Sequence, residues 1–235
     1  TPVTVSRHRD WYVKTGASYR FARSVNAVPL MSSEFAAASA EYALVFAGDE
    51  RVMPSAILGF RQQENLYVGD GGAWRARYIP AFIRQYPFVL AGGEDDKTLT
   101  LCLDEEFEGC NQDGHGERLF DADGEQTTYL RNVLGFVQSY QADFRRTRTF
   151  CDRLKELDLL EPMQARFRLP EGSVGLTGFK AVNRDKLKAL APETLSELAR
   201  NDGLDLIYAH LHSMRNFDRM VELARERQAE PALTN

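Results

Sequence analysis

Cysteine is scarce in this 235-residue chain: Cys102, Cys110 and Cys151 are an odd number with no C-x-x-C pair among them. A disulfide framework or a zinc ribbon needs paired, closely spaced thiols, so the pattern argues against both and for reduced thiols in a cytoplasmic protein. Long apolar runs are missing too. The greasiest stretches, 42–46 and 88–90, are strand-sized, and 18 apolar residues never run together, so no membrane span is expected. Arg7, His8 and Arg9 near the start are not followed by an apolar run, so no secretory signal is expected there. Positive charge is in deficit, with 29 basic against 34 acidic side chains. Electrostatic binding to nucleic acid needs a basic face, and no nucleic-acid partner is expected. G-x-G-x-x-G, P-loop and H-E-x-x-H motifs are absent, and Gly172-Ser173-Val174-Gly175 lacks the spacing of a nucleophile elbow. Neither a repeat nor a Pro- or Ser-rich linker divides the chain.

What remains is an ordinary globular composition, 43% hydrophobic and 27% charged. A chain of this length buries about 70–75% of its unfolded surface without needing a metal or disulfide. We read residues 1–235 as one unit, β-rich over about 1–126 and mostly helical over about 127–228. In the first half, Ser32-Ser33-Glu34 is expected to cap a helix through residue 42. Apolar runs at 42–46, 56–60 and 66–68, punctuated by turn residues, predict a strand meander, with Pro54 at a strand edge or start. Pro80 suits the first turn of a short helix through Gln85, and 88–91 with 98–103 form a hairpin across 92–96. Residues 94–125 are strongly acidic, and the rest of the chain is net basic.

Tyr129, Val133, Phe136, Val137, Tyr140, Phe144, Cys151 and Leu154 recur at three- and four-residue steps and predict a long amphipathic helix over 127–160. At 1.5 Å per residue it would run roughly 50 Å, so a break is expected near 145–149. A second hairpin, 165–182 over Pro170-Glu171-Gly172, precedes a helix capped by Asn183 and three further helices, at 192–200 (Gly203 near its end), 204–214 and 217–227. The fold class is therefore α+β, an antiparallel sheet packed against a long helix and a C-terminal helical group.

Chemistry-bearing residues are few. His210 and His212 are about 200° apart on a helix, so they face opposite ways; His210 falls on the apolar face and reads as a hydrogen-bonded core residue, with a ligand or acid–base role as the alternative. Asn111-x-Asp113-x-His115-Gly116 begins like a calcium loop, yet its twelfth position is Ala122 where a bidentate Glu is needed. Cys102, Cys110 and His115 match no metal template, and no metal or cofactor is expected. Asp104, Glu105 and Glu106 at a strand end read as solvated charge, with paired acid–base carboxylates as the alternative. Arginines at 145, 146, 148 and 153 read as a polar helix face, with a partner interface as the alternative. Aromatic residues crowd the N-terminal half and interleave with arginine. Trp74, Tyr78, Arg84 and Tyr86 would line a groove where rings meet a sugar, a peptide or an aromatic ligand, with Arg75, Arg77 and Arg84 available to orient a carboxylate. Asp104 and His210 complete the set of candidate ligand-binding residues.

Several strings along nearly the whole chain are familiar: Gly16-Ala17-Ser18-Tyr19-Arg20-Phe21-Ala22, Ala27-Val28-Pro29-Leu30, Tyr78-Ile79-Pro80-Ala81-Phe82-Ile83-Arg84-Gln85-Tyr86-Pro87-Phe88, Leu101-Cys102-Leu103-Asp104, Leu176-Thr177-Gly178-Phe179 and Ile207-Tyr208-Ala209-His210-Leu211. In these the chain resembles the SapC family of bacterial proteins. The resemblance implies an association with bacterial surface layers and gene neighbourhoods holding TonB-dependent receptors, tryptophan-halogenase-like proteins and cupin-like proteins. It carries over no catalytic residue. The expected function is a non-enzymatic accessory protein binding a small molecule, sugar, peptide or protein partner in nutrient uptake or surface assembly. The alternatives are an enzyme using Asp104, Glu105 and His210 on a sugar or peptide, and a partner of a halogenase-like or cupin-like enzyme.

Overall fold

Local capping chemistry starts two of the helices where the sequence places them. Thr127 accepts the Leu130 N–H at 3.2 Å, and Asn183 accepts those of Asp185 and Lys186, both at 2.9 Å, so each side chain occupies amides that a helix start leaves unpaired. The structure, a computed structural model, describes residues 1–92, 99–169 and 172–229. The elements run in the order α1 (Val5–His8), β1 (Tyr12–Val13), β2 (Ala27–Pro29), α2 (Phe35–Ala38), β3 (Ala43–Ala47), β4 (Met53–Ile57), α3 (Ala81–Arg84), β5 (Phe88–Gly92), β6 (Leu99–Leu103), β7 (Cys110–Asn111), β8 (Glu117–Arg118), α4 (Thr128–Glu156), β9 (Leu160–Leu169), β10 (Gly172–Val182), α5 (Arg184–Lys188), α6 (Pro192–Arg200), α7 (Gly203–Ser213) and α8 (Asn216–Ala229). The fold is α+β. Both hairpins form, while their expected turns lie, but for Gly92 and Gly172, outside the described residues. Among the described residues no helix is long and apolar enough to cross a membrane.

The main sheet is antiparallel, in the order β2-β4-β3-β10-β9. Pro54 sits second in β4, where its carbonyl accepts the Leu30 N–H at 2.9 Å. Within β10, Gly178 has φ +83° at the register shift between Leu176 and Phe179, a conformation that costs glycine little. Three buried clusters hold the elements together. One joins Phe35, Leu44 and Tyr67 to Phe217 and Met220 of α8. Another joins Phe46 and Val182 to Cys151 and Leu154 of α4 and Ile207 of α7. The third gathers Val13, Phe88, Leu103, Phe107 and Leu119 against Leu130 of α4.

Four expectations are corrected here. The long helix has no break: α4 runs 29 residues, about 43 Å at 1.5 Å per residue, because it spans from the third cluster to the second. At the expected break, Thr147 donates back to the Asp143 carbonyl at 2.7 Å and accepts the Ser32 N–H at 2.8 Å, so the hydroxyl is satisfied without interrupting the helix. The helix expected over 32–42 shrinks to a 3₁₀ turn, Ser32–Glu34, and the single turn of α2. Glu34 points inward and accepts the Met31 N–H, and the Ala38 carbonyl takes Glu41 and Tyr42 N–H groups as the chain turns into β3. Residues 66–68 form no strand, since the Asn65 side chain takes the Tyr67 N–H at 2.9 Å and only a bridge, Val68 with Trp74, remains. Gly203 opens α7 rather than closing α6.

His210 is fully buried between β3 and β10. Direct pairing of these strands is recorded at Phe179 with Ala47 and Lys180 with Phe46. Two residues further along, the imidazole stands in the ladder. The Val182 N–H donates to Nε2 at 3.0 Å and Nδ1 lies 2.8 Å from the Leu44 carbonyl, so Nδ1 carries the proton of a neutral ring. Ser213, one turn later, accepts the Leu44 N–H at 3.0 Å. Burial lowers the His210 pKa to about 4. The unfolded chain therefore binds a proton near 6.5 that the folded chain resists. Stability from this group is complete above pH 6.5 and falls as pH drops toward 4, by up to about 3 kcal/mol. Urea titrations across this window are expected to show that loss in the wild type, and a His210→Leu chain to lack this contribution. The substitution is also expected to cost about 2–5 kcal/mol at pH 7, because Leu44 C=O and Val182 N–H lose their partner. Identical pH slopes in both chains would refute the assignment.

Candidate functional site

Two inward carboxylates shape the surface where the aromatic residues gather. Glu34, 5% exposed, accepts three donors: Met31 N–H at 2.8 Å, Ala81 N–H at 2.7 Å and the Tyr78 hydroxyl at 2.8 Å. Glu41 bridges two successive amides, Arg77 N–H at 2.9 Å and Tyr78 N–H at 2.7 Å. Tyr42 donates its hydroxyl to the Tyr78 carbonyl and accepts the Trp74 indole N–H at 2.8 Å. Tyr78 is thus gripped at backbone and ring tip, and α3 begins three residues later in a fixed place. Burial, then the Glu34 contact, pushes the Tyr78 phenol up to about 12, so it donates throughout the neutral range.

Arg84, at the end of α3, projects from this frame. Its guanidinium lies over two rings, 5.6 Å from the Tyr78 centroid and 5.1 Å from that of Phe136 on α4. Nε donates to the Ile79 carbonyl at 2.9 Å, and Nη2 makes a long contact of 3.4 Å to the Tyr78 hydroxyl. A pocket opens on each side. One, about 360 Å³, is walled by Arg84, Tyr86, Phe88, Tyr129, Val133 and Phe136. The other, about 200 Å³, includes Glu34, Tyr78, Arg84, Phe136, Tyr140 and Asp143. Tyr86 stacks on Phe21 at 4.3 Å and donates to Asp104 at 2.7 Å; burial and that carboxylate hold its phenol well above the ordinary range.

The sequence-derived residues therefore separate. Tyr78, Arg84 and Tyr86 share the groove, and Asp104 reaches it through the Tyr86 hydroxyl. Trp74 lines neither pocket: it packs against Tyr19 and Tyr67, its N–H on Tyr42. Arg75 lies toward Glu226 on α8, 3.9 Å away. His210 sits in the sheet with both nitrogens on backbone, so it meets neither Asp104 nor Glu105. Glu105 instead takes a bidentate contact from Arg7 at 2.6 and 2.7 Å and His8 Nε2 at 3.0 Å; the Arg7 hydrogen bonds hold its carboxyl down to about 2. Among the described residues no group of three or more His, Cys, Asp or Glu could hold a metal. Sequence reading missed Glu34, Glu41 and Phe136. Phe136 stood in the apolar stripe of α4 and read as core; the width of that stripe, with aromatic rings at 129, 136 and 140, was the available signal.

A larger depression, about 550 Å³, lies between α4 and the α6–α7 turn. Its cations are already neutralised, Arg153 by Glu197 at 2.6 and 3.1 Å and Arg146 by Asp143, which also accepts from Ser33. A ligand there would have to break ion pairs, which makes the Arg84 groove the better candidate.

A family model described as SapC matches residues 3–220. No curated protein and no solved structure matches the chain.

Glu34→Gln is expected to cost about 2–4 kcal/mol, since an amide places an NH₂ where donors already point and leaves one buried donor unmatched. Tyr78→Phe removes one of the three donors to the same carboxylate and is expected to cost about 1–2 kcal/mol. Denaturant midpoints check both. Equal stability of Glu34→Gln and wild type would show that the carboxylate does not organise the groove.

Proposed function

The chain belongs to the SapC family, and we propose that it is a non-enzymatic binding protein, holding a small ligand between the Tyr78–Tyr86 segment and α4 in the service of bacterial nutrient uptake or surface-layer assembly. The observation that carries this reading is the position of Arg84, a guanidinium flanked by the Tyr78 and Phe136 rings with a pocket on either side. Rings with a few polar groups beside them are the usual make-up of a small-molecule site. Glu34 and Glu41 hold Tyr78 and the 77–81 backbone beside Arg84 in place, and a wall set in advance lowers the ordering cost of binding. The groups named for the enzyme alternative do not come together: His210 is held by backbone and Glu105 by Arg7 and His8, while Asp104 meets the groove through Tyr86. Nothing in these contacts favours acid–base chemistry over binding.

A thermal-shift screen of sugars, short peptides and aromatic acids tests the reading, because a compound that binds only the folded state raises its melting temperature by mass action. At least one class is expected to raise it, and the rise to disappear in Arg84→Ala and shrink in Phe136→Leu. Turnover of the bound compound that Asp104→Asn or Glu105→Gln abolishes would overturn the proposal in favour of an enzyme.

A further inference from the structure

We propose that the pocket between the Tyr86–Phe88 segment and α4 takes a small aryl carboxylate, its ring among Tyr86, Tyr129 and Phe136 and its carboxylate on Arg84. This rests on the reading of the groove as a ligand site and extends it to the ligand's chemistry. Size is the first constraint. About 360 Å³ stands at the small end of ligand cavities, room for one ring system with a short side chain and too little for an oligosaccharide or a folded peptide. Wall chemistry is the second. Phe88, Tyr129, Val133, Phe136 and Val137 present rings and branched carbons, against which an aromatic ring gains edge and offset contacts that a hydroxyl-rich sugar would not.

Charge is the third constraint and sets the sign of the ligand. Arg84 is the one charged side chain on this wall; Thr15, Gln85, Asn132 and the hydroxyls of Tyr86, which donates to Asp104, and Tyr129 supply its other polar groups. Among the described residues no carboxylate lies within 4.0 Å of the Arg84 guanidinium, whereas Arg7, Arg146 and Arg153 each have one. The nearest buried acid, Glu34, already accepts three donors. Of the Arg84 nitrogens, Nε is committed to Ile79 and Nη2 only loosely to Tyr78, and no acceptor among the described residues takes Nη1. A planar guanidinium left this way, exposed beside two rings, matches a carboxylate edge-on and disfavours a cation.

Isothermal titration of the full chain with phenylacetate, phenylacetamide and acetate separates the terms. Phenylacetate is expected to bind about ten- to hundredfold more tightly than either of the others, the range a charge-assisted pair adds over a neutral one. Arg84→Gln is expected to bring phenylacetate down to the amide's level. Val133→Trp, which fills the pocket, should abolish both. Equal affinity for acid and amide, or a preference that survives Arg84→Gln, overturns the carboxylate assignment. Loss of both in Val133→Trp would then leave the groove itself standing as a site. Acetate binding as tightly as phenylacetate overturns the ring assignment, and no binding of phenylacetate at millimolar concentration overturns the inference whole. The groove reading fails separately, if ligands found by the wider screen bind Val133→Trp as well as wild type.

Discussion

A backbone donor and acceptor shut inside a β-sheet must find partners, and between β3 and β10 they find them on a side chain. The His210 imidazole takes the Val182 N–H on one nitrogen and gives its own proton to Leu44 C=O, while Ser213 covers the Leu44 N–H. Leaving these groups open would cost several kcal/mol, more than a domain of ordinary stability can lose without consequence. The ring therefore fixes where α7 docks and, through the cluster of Phe46, Leu154, Leu198 and Ile207, where α4 and α6 meet the sheet. A buried neutral imidazole with both nitrogens engaged is an architectural group. Its burial takes this histidine out of proton exchange near neutral pH.

The same accounting of partners locates the candidate site. Glu34 and Glu41 are acids whose oxygens are filled by amides and a phenol, so they act as rigid acceptors that set the 77–81 backbone. Arg7, Arg146 and Arg153 are each matched to a carboxylate. Arg84 has ring faces instead, and it stands where two pockets meet. A surface ion pair contributes little to stability, but it does remove a charge from availability. Arg84 carries no carboxylate within 4.0 Å among the described residues, and with the two pockets beside it, it is the centre of the proposed site.

Much of the fold was legible in the chain because the deciding interactions are short-range. Thr127 and Asn183 cap helices within three residues of themselves, Pro80 precedes a helical turn, and the stripe from Tyr129 to Leu154 has one period throughout. The errors fall where a distant partner outweighs local preference. The break expected near 145–149 rested on the size of a compact unit, yet α4 stays whole because it is packed at both ends and Ser32 satisfies Thr147 midway. Ser32-Ser33-Glu34 looked like a cap until Glu34 turned inward to meet Tyr78 and Ala81, more than forty residues on.

Of the site, the sequence by itself determined which residues were suited to recognition: rings interleaved with arginine between 74 and 86, and a helix with a wide aromatic stripe. Only the tertiary structure decided which of them remained available. Trp74 was drawn into the packing around Tyr42, His210 into the sheet and Glu105 into a pair with Arg7. Periodicity and capping depend on neighbours three or four residues away and can be read along a line. Whether a charge or a donor is satisfied depends on groups that folding brings together from 44 and 210, or 34 and 78, and no local pattern records that encounter.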